Sequence, residues 1–213
     1  MKVKICGITR LEDAMLAVDV GVWAVGFIFA KNTPRYITPE DARNIIDSLP
    51  DNMEKVGVFV DCLVSEVLNI SKLTGITKIQ LHGSEPPEYC SNIQQIINKE
   101  VIKAIQVRDI EDLIPIKQYK GNVSYILLDT FCENQRGGTG KTFDWVIAKE
   151  AKGYNIPIIL AGGLNPENIL TAYQEVMPFA LDLSSGVEVS KGIKDCEKLK
   201  CLKNIIGANR AVP

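Results

Sequence analysis

Two side chains in this sequence suit the movement of a proton between carbon and oxygen. One is the thiol of Cys6, which ends a short apolar run, and the other is the carboxyl of Asp129, which follows Tyr125-Ile126-Leu127-Leu128. Free cysteine packs mostly as a small buried hydrophobe. An unperturbed thiol, with a pKa of about 8.5, offers only a few per cent of thiolate at neutral pH. A base role at Cys6 therefore requires a local field or a hydrogen bond that favours the anion. A carboxyl at an apolar rim is driven by desolvation toward its neutral form and can then deliver a proton; the alternative for Asp129 is a cap or loop-ordering aspartate.

Other residues suit binding. Arg35 follows a proline in a loop, where a guanidinium either stays solvated or grips a carboxylate with two parallel hydrogen bonds. His82, the single histidine, sits beside a glycine and by itself reads most simply as a hydrogen-bonded structural side chain. Asp182 alternates with Leu181 and Leu183 and faces a barrel interior if the leucines face helices; a carboxylate there needs donors, and substrate N–H or hydroxyl groups would serve. Gly162-Gly163 removes side chains where backbone N–H groups approach an anion. Ser184-Ser185-Gly186 suits the start of a short helix aimed at the same place. Cys196 and Cys201, on the final helical segment, read as packing residues.

These residues are spaced by a regular pattern of elements. Short apolar runs at 2–6, 24–29, 55–60, 78–81, 101–105, 124–129, 156–160 and 179–183 alternate with segments of helical period at 11–20, 39–48, 64–74, 86–98, 110–119, 143–152 and 166–176, and 195–206 closes the chain. Thr38, Asp109 and Asn165 precede helical segments as capping residues. Strands apolar on both faces and joined by helices form a parallel sheet, and eight such units predict closure into a (βα)8 barrel, an open doubly wound sheet being the alternative. The 213 residues give about 27 per unit, which leaves little spare length and predicts one domain over 1–213. In a barrel the chemistry lies at the C-terminal ends of the strands, and the loops after strands seven and eight commonly hold phosphate. Those are the loops with Gly162-Gly163 and Ser184-Ser185-Gly186.

Composition narrows the function classes. Hydrophobic residues make up 46% and the formal net charge is −2, which excludes a disordered chain and gives no basic field for nucleic acid. The charge-free stretch 20–30 is about half the length of a membrane span, and Arg10 interrupts the N-terminus before a signal-peptide core can form. Neither membrane association nor export is expected. Six cysteines without a CxxC pair and a single histidine argue against zinc or a disulfide framework, so reduced thiols in the cytoplasm are the expectation.

Taken in order, Lys4-Ile5-Cys6-Gly7-Ile8-Thr9-Arg10, Gly26-Phe27-Ile28-Phe29, Thr33-Pro34-Arg35-Tyr36, Gln80-Leu81-His82-Gly83 and Leu128-Asp129-Thr130 form a set that resembles the phosphoribosylanthranilate isomerases of tryptophan biosynthesis. The resemblance continues through Gly137-Gly138-Thr139-Gly140-Lys141-Thr142-Phe143-Asp144-Trp145, Leu160-Ala161-Gly162-Gly163-Leu164 and Asp182-Leu183-Ser184-Ser185-Gly186-Val187-Glu188, almost end to end. It implies a (βα)8 barrel and an Amadori rearrangement of N-(5′-phosphoribosyl)anthranilate to 1-(2-carboxyphenylamino)-1-deoxyribulose 5-phosphate without metal or cofactor. It also implies roles: Asp129 as general acid, Cys6 as general base, Arg35 on the anthranilate carboxylate, and Asp182, with His82, on the substrate. Gly140, Gly162, Gly163, Ser184, Ser185 and Gly186 are implied as the phosphate site. The implied partner is a small phosphorylated substrate, with a monomer or homodimer as the assembly.

Departures from the family pattern are small: Asn32-Thr33 where Ser often precedes Pro-Arg, Thr139 in a usual Gly-Gly-Ser-Gly, and Lys191 for a usual proline before Gly192. The alternatives are the histidine-pathway barrel that performs the same rearrangement with an aspartate in place of Cys6, and a non-catalytic barrel that binds a phosphorylated ligand.

Overall fold

The computed structural model, described for residues 1–130 and 144–210, forms strands where the apolar runs lie. They are β1 (Val3–Cys6), β2 (Ala24–Ile28), β3 (Glu54–Phe59), β4 (Lys78–Leu81), β5 (Glu100–Val107), β6 (Tyr125–Thr130), β7 (Ile158–Leu160) and β8 (Ala180–Leu183). Each pairs in parallel with the next, and β8 returns to β1, so the sheet closes as a barrel. The open-sheet alternative is thereby excluded.

Because side chains alternate across a strand, every strand feeds two cores. Ile5, Phe27, Ile79, Leu128 and Leu181 point outward and are buried under the helices. Ala24, Val56, Ile102, Leu127, Ile159 and Ala180 fill the barrel itself. At the N-terminal end Trp23, Tyr125 and Phe179 pack ring against ring, with the Lys2 ammonium 4.1 Å from the Phe179 ring centre. This aromatic floor lies below the interior core.

The outer layer comprises α1 (Leu11–Val20), α2 (Pro39–Ile46), α3 (Val64–Thr74), α4 (Pro87–Ile97), α5 (Trp145–Ala151), α6 (Ile169–Val176) and α7 (Cys196–Arg210). Thr38 caps α2 by accepting from the Asp41 N–H, as its position before Pro39 predicts. Three expectations are corrected. The segment Ile110–Tyr119, expected as an ordinary helix, winds as a 3₁₀ helix behind a capping box at Asp109; Pro115 within it has no N–H to give. Before α6, Asn165 does accept from the N–H groups of Glu167 and Asn168, but it caps a turn, and the helix starts only at Ile169. Cys196 and Cys201 are exposed rather than packed, because Leu199, Leu202 and Ile206 form the buried face of α7.

One element was not expected. After β8 a 3₁₀ turn (Ser185–Val187) leads into a small antiparallel hairpin, β9 (Glu188–Ser190) and β10 (Ile193–Lys194). Among the described residues no helix is long and apolar enough to cross a membrane.

Candidate active site

A cavity of about 360 Å³ opens at the C-terminal ends of the strands, lined by Cys6, Arg35, His82, Asp129, Asp182, Gly162, Gly163, Ser184 and Ser185 among others. Of the residues singled out in the sequence, two stand apart. Gly140 lies outside the described residues. Gly186 stands behind the cavity wall, where a Cβ would sit 1.9 Å from the Leu164 carbonyl oxygen, so a side chain there would force the loops after β7 and β8 apart.

Cys6 is the last residue of β1, and the N–H groups of Gly7 and Ile8 both donate to the Gly26 carbonyl, which turns the chain sharply and leaves the thiol facing inward. Gly26 is its registered neighbour on β2. A Cβ at Gly26 would stand 2.8 Å from Cys6 Sγ and 3.1 Å from Lys4 Cε, so only glycine leaves room for both. Burial pushes the Cys6 thiol up and prevails, and the Lys4 ammonium offsets part of that rise.

Lys4 is fully buried, and its Nζ donates to Asp182 Oδ2 at 2.9 Å and to Gln80 Oε1 at 3.0 Å. Burial acts to lower the Lys4 pKa, but Asp182 and Cys6 outweigh it and hold the ammonium above its ordinary value. An ammonium only donates, so the Gln80 oxygen must face Lys4 and its NH₂ must face His82. Gln80 Nε2 lies 3.1 Å from His82 Nδ1, so Nδ1 accepts and the ring proton resides on Nε2. That nitrogen stands 3.5 Å from Asp129 Oδ2. A hydrogen-bonded chain thus runs from Asp182 through Lys4 and Gln80 to His82, whose Nε2 approaches Asp129 without making a hydrogen bond.

The loop that carries His82 is fixed from beneath. The Glu85 carboxylate accepts from the N–H groups of Gly83 and Asp61 and pairs with the buried Lys103 at 2.9 Å. Asp182 keeps one oxygen uncommitted: Oδ1 is buried and has no hydrogen-bond partner among the described residues. Burial pushes Asp182 up and Lys4 pulls it down. A buried acceptor without a donor costs about 1–3 kcal/mol, so this oxygen suits an N–H or O–H brought by a ligand.

Arg35 is not the free clamp its sequence context suggests. Its Nε and Nη2 donate to Glu188 at 2.8 and 2.7 Å, a bidentate pair that holds its pKa high. Lys194 Nζ donates to the same carboxylate at 3.0 Å, to the Cys6 carbonyl at 2.6 Å and to the Ser184 carbonyl at 3.3 Å. Burial raises and these two cations lower the Glu188 pKa, and the cations prevail. The hairpin strands β9 and β10 therefore tie Arg35, the end of β1 and the loop after β8 together.

In the loop after β7, Gly162 and Gly163 adopt φ of +85° and +65°, and a Cβ on Gly162 would stand 2.2 Å from Thr130 Oγ1. Ser184 precedes the 3₁₀ turn in the adjoining loop. Four residues of the site carried no role in the sequence reading: Lys4, Gln80, Glu188 and Lys194. Lys4 and Gln80 do carry a signal, since each is a polar residue at an inward position of an apolar strand. Among the described residues no three His, Cys, Asp or Glu side chains are grouped to hold a metal. The arrangement offers a thiol and a carboxyl in one cavity, buried cations that favour anions, and a glycine- and serine-lined end.

The family model for N-(5′-phosphoribosyl)anthranilate isomerase matches residues 3–204. The N-(5′-phosphoribosyl)anthranilate isomerase of Geobacter metallireducens is 46% identical over 200 residues, covering 94% of this chain and 96% of its own. The crystal structure of phosphoribosyl anthranilate isomerase from Thermotoga maritima superposes with a TM-score of 0.90 at 43% identity, over 97% of this chain and 99% of that one. A crystal structure of a phosphoribosyl anthranilate isomerase in complex with reduced 1-(o-carboxyphenylamino)-1-deoxyribulose 5-phosphate gives 0.86 at 41% identity, with the same coverage.

Proposed function

The chain belongs to the N-(5′-phosphoribosyl)anthranilate isomerase family and catalyses that family's Amadori rearrangement in tryptophan biosynthesis, and we propose that Asp129 and Cys6 divide its proton transfers. The observation that carries this assignment is that the thiol and the carboxyl line one cavity, with the Lys4, Gln80 and His82 side chains linked in sequence between the Cys6 side and Asp129.

In this reading Asp129 gives its proton to the ribose ring oxygen as the bond from that oxygen to C1′ breaks, and the furanose opens to a Schiff base. The Cys6 thiolate then removes the proton from C2′. The electron pair of that C–H bond moves into the C1′–C2′ bond, the imine nitrogen recovers its lone pair, and the enol form of the product results. No electrons leave the substrate, so no redox partner is needed. General acid–base assistance of this kind contributes about 10²–10⁴-fold.

Binding follows the same geometry. Asp182 Oδ1 receives a substrate N–H or hydroxyl. Arg35, oriented by Glu188, turns its remaining Nη1 to the anthranilate carboxylate, and His82 borders the reacting sugar. Gly162, Gly163, Ser184, Ser185, Gly186 and Gly140 form the phosphate site, residues 1–213 acting as one catalytic domain. A thiol base implies a reducing setting, in keeping with a cytoplasmic enzyme.

The direct test generates phosphoribosylanthranilate in situ from anthranilate and follows the loss of its fluorescence on adding the purified protein. Enzyme-dependent loss is expected; a rate no faster than the spontaneous decay rejects the activity.

A further inference from the structure

We propose that Lys4 is the positioning residue for the base: its buried ammonium is the counter-ion that favours the Cys6 thiolate against the burial that opposes it. The inference rests on the assignment of Cys6 as the base and adds the group that makes a buried thiol able to act as one.

Strand alternation puts Lys4 and Cys6 on the same inward face of β1, one pleat apart. The neighbouring inward positions of β2, registered with them, are Ala24 and Gly26. Both are small, and the space above Gly26 is shared by Lys4 Cε and Cys6 Sγ. An ammonium has three protons; two go to Gln80 and Asp182. The third can turn toward the sulfur that shares this space, and Lys4 and Cys6 favour one another's charged forms.

An ion pair with Asp182 alone does not account for this placement, because such a pair needs neither the clearance at Gly26 nor the thiol. Among the charged groups around Cys6, Lys194 and Arg35 also favour the thiolate by their charge, but Lys4 does so most strongly. Lys194 approaches from β10 but donates to the Cys6 carbonyl rather than to its sulfur, and it shares Glu188 with Arg35. Asp182, on β8, opposes the thiolate. Asp129, on β6, faces His82 at the end of β4, and that imidazole accepts at Nδ1 from Gln80.

Removing Lys4 alone would strand the Asp182 carboxylate, so the test compares Lys4→Met/Asp182→Asn with Asp182→Asn. Peptide-resolved alkylation by iodoacetamide, followed between about pH 6 and 10, reads the thiolate directly. The exposed Cys201 serves as internal control, and thermal melts confirm that both variants fold. The midpoint for Cys6 is expected to rise in the double variant, with labelling at neutral pH about ten-fold lower or more and kcat reduced by a similar factor. An unmoved midpoint in the folded double variant, or equal labelling, overturns the proposal. A raised midpoint with turnover equal to that of Asp182→Asn leaves the counter-ion in place and removes Cys6 from the base role instead.

Discussion

His82 Nε2 stands 3.5 Å from Asp129 Oδ2, and it carries the ring proton because Gln80 already donates to Nδ1. The separation exceeds an ordinary hydrogen bond, so His82 orients and polarises Asp129 without taking its place as the proton donor. His82→Ala is therefore expected to lower kcat by about ten-fold, clearly less than loss of the carboxyl itself. Steady-state kinetics of His82→Ala beside Asp129→Asn decide the point: equal losses would mean that the imidazole and the carboxyl act as one unit.

For the acid and the base the expected losses are larger. Asp129→Asn and Cys6→Ala each remove a proton carrier while nearly preserving shape, and each is expected to reduce kcat by about 10²-fold or more. Thermal melts separate this from unfolding, since neither change empties a large volume. Turnover near wild type in either variant removes that residue from the mechanism.

Gly26→Ala probes the site without replacing a reacting group. The added methyl would meet Cys6 Sγ at 2.8 Å and Lys4 Cε at 3.1 Å, both well inside van der Waals contact. One of them must move. A shift of about 1 Å at a reacting group costs on the order of 10²-fold in rate, so kcat should fall by about 10-fold to 10²-fold while KM changes little. An unchanged kcat would show that the clearance above Gly26 is not needed by the base.

The eight strands, the parallel closure and the inward aim of Asp182 were legible in the sequence because each follows from alternation or element count. The site was legible where a residue lies at or just after the end of a strand, as Cys6, Asp129 and His82 do. Lys4 and Gln80 were overlooked because a single polar residue inside an apolar run reads as noise until the closed barrel puts β1, β4 and β8 around one interior. Glu188 carries no local sign of its role, since its partners Arg35 and Lys194 are brought to it only by the hairpin, which has just 3 and 2 residues per strand. Pro115 gave a local signal against an ordinary helix at Ile110–Tyr119, and the apolar period concealed it.

Gly162→Ala tests the proposed phosphate end. At φ of +85° an alanine is strained, and its methyl would stand 2.2 Å from Thr130 Oγ1 and 2.7 Å from the Thr130 nitrogen. The loop after β7 must shift, and the end of β6 that carries Asp129 shifts with it. Inorganic phosphate, as a competitive inhibitor, is expected to bind about ten-fold more weakly to this variant, the scale of one lost hydrogen bond to a charged group. An unaltered inhibition constant would place the phosphate elsewhere.

Glu188→Gln tests the clamp that orients Arg35, and its pH dependence has a defined sign. In the folded protein Glu188 is held below its ordinary value of 4.5, burial notwithstanding, by Arg35 and Lys194. A depressed carboxyl contributes stability that is present above the ordinary value and is lost as pH falls from there through the folded value. The amide removes the charge and leaves two buried cations without a counter-ion, a loss of about 3–5 kcal/mol for a broken buried pair. At neutral pH the variant should therefore unfold at lower urea concentration than the wild type, and the gap should narrow as the pH is lowered through the carboxylate range. KM should rise as well, because Arg35 loses the partner that fixes its plane. Parallel urea curves at neutral and acid pH decide this: a gap that stays constant down to acid pH would mean that Glu188 holds the loops by shape and not by charge.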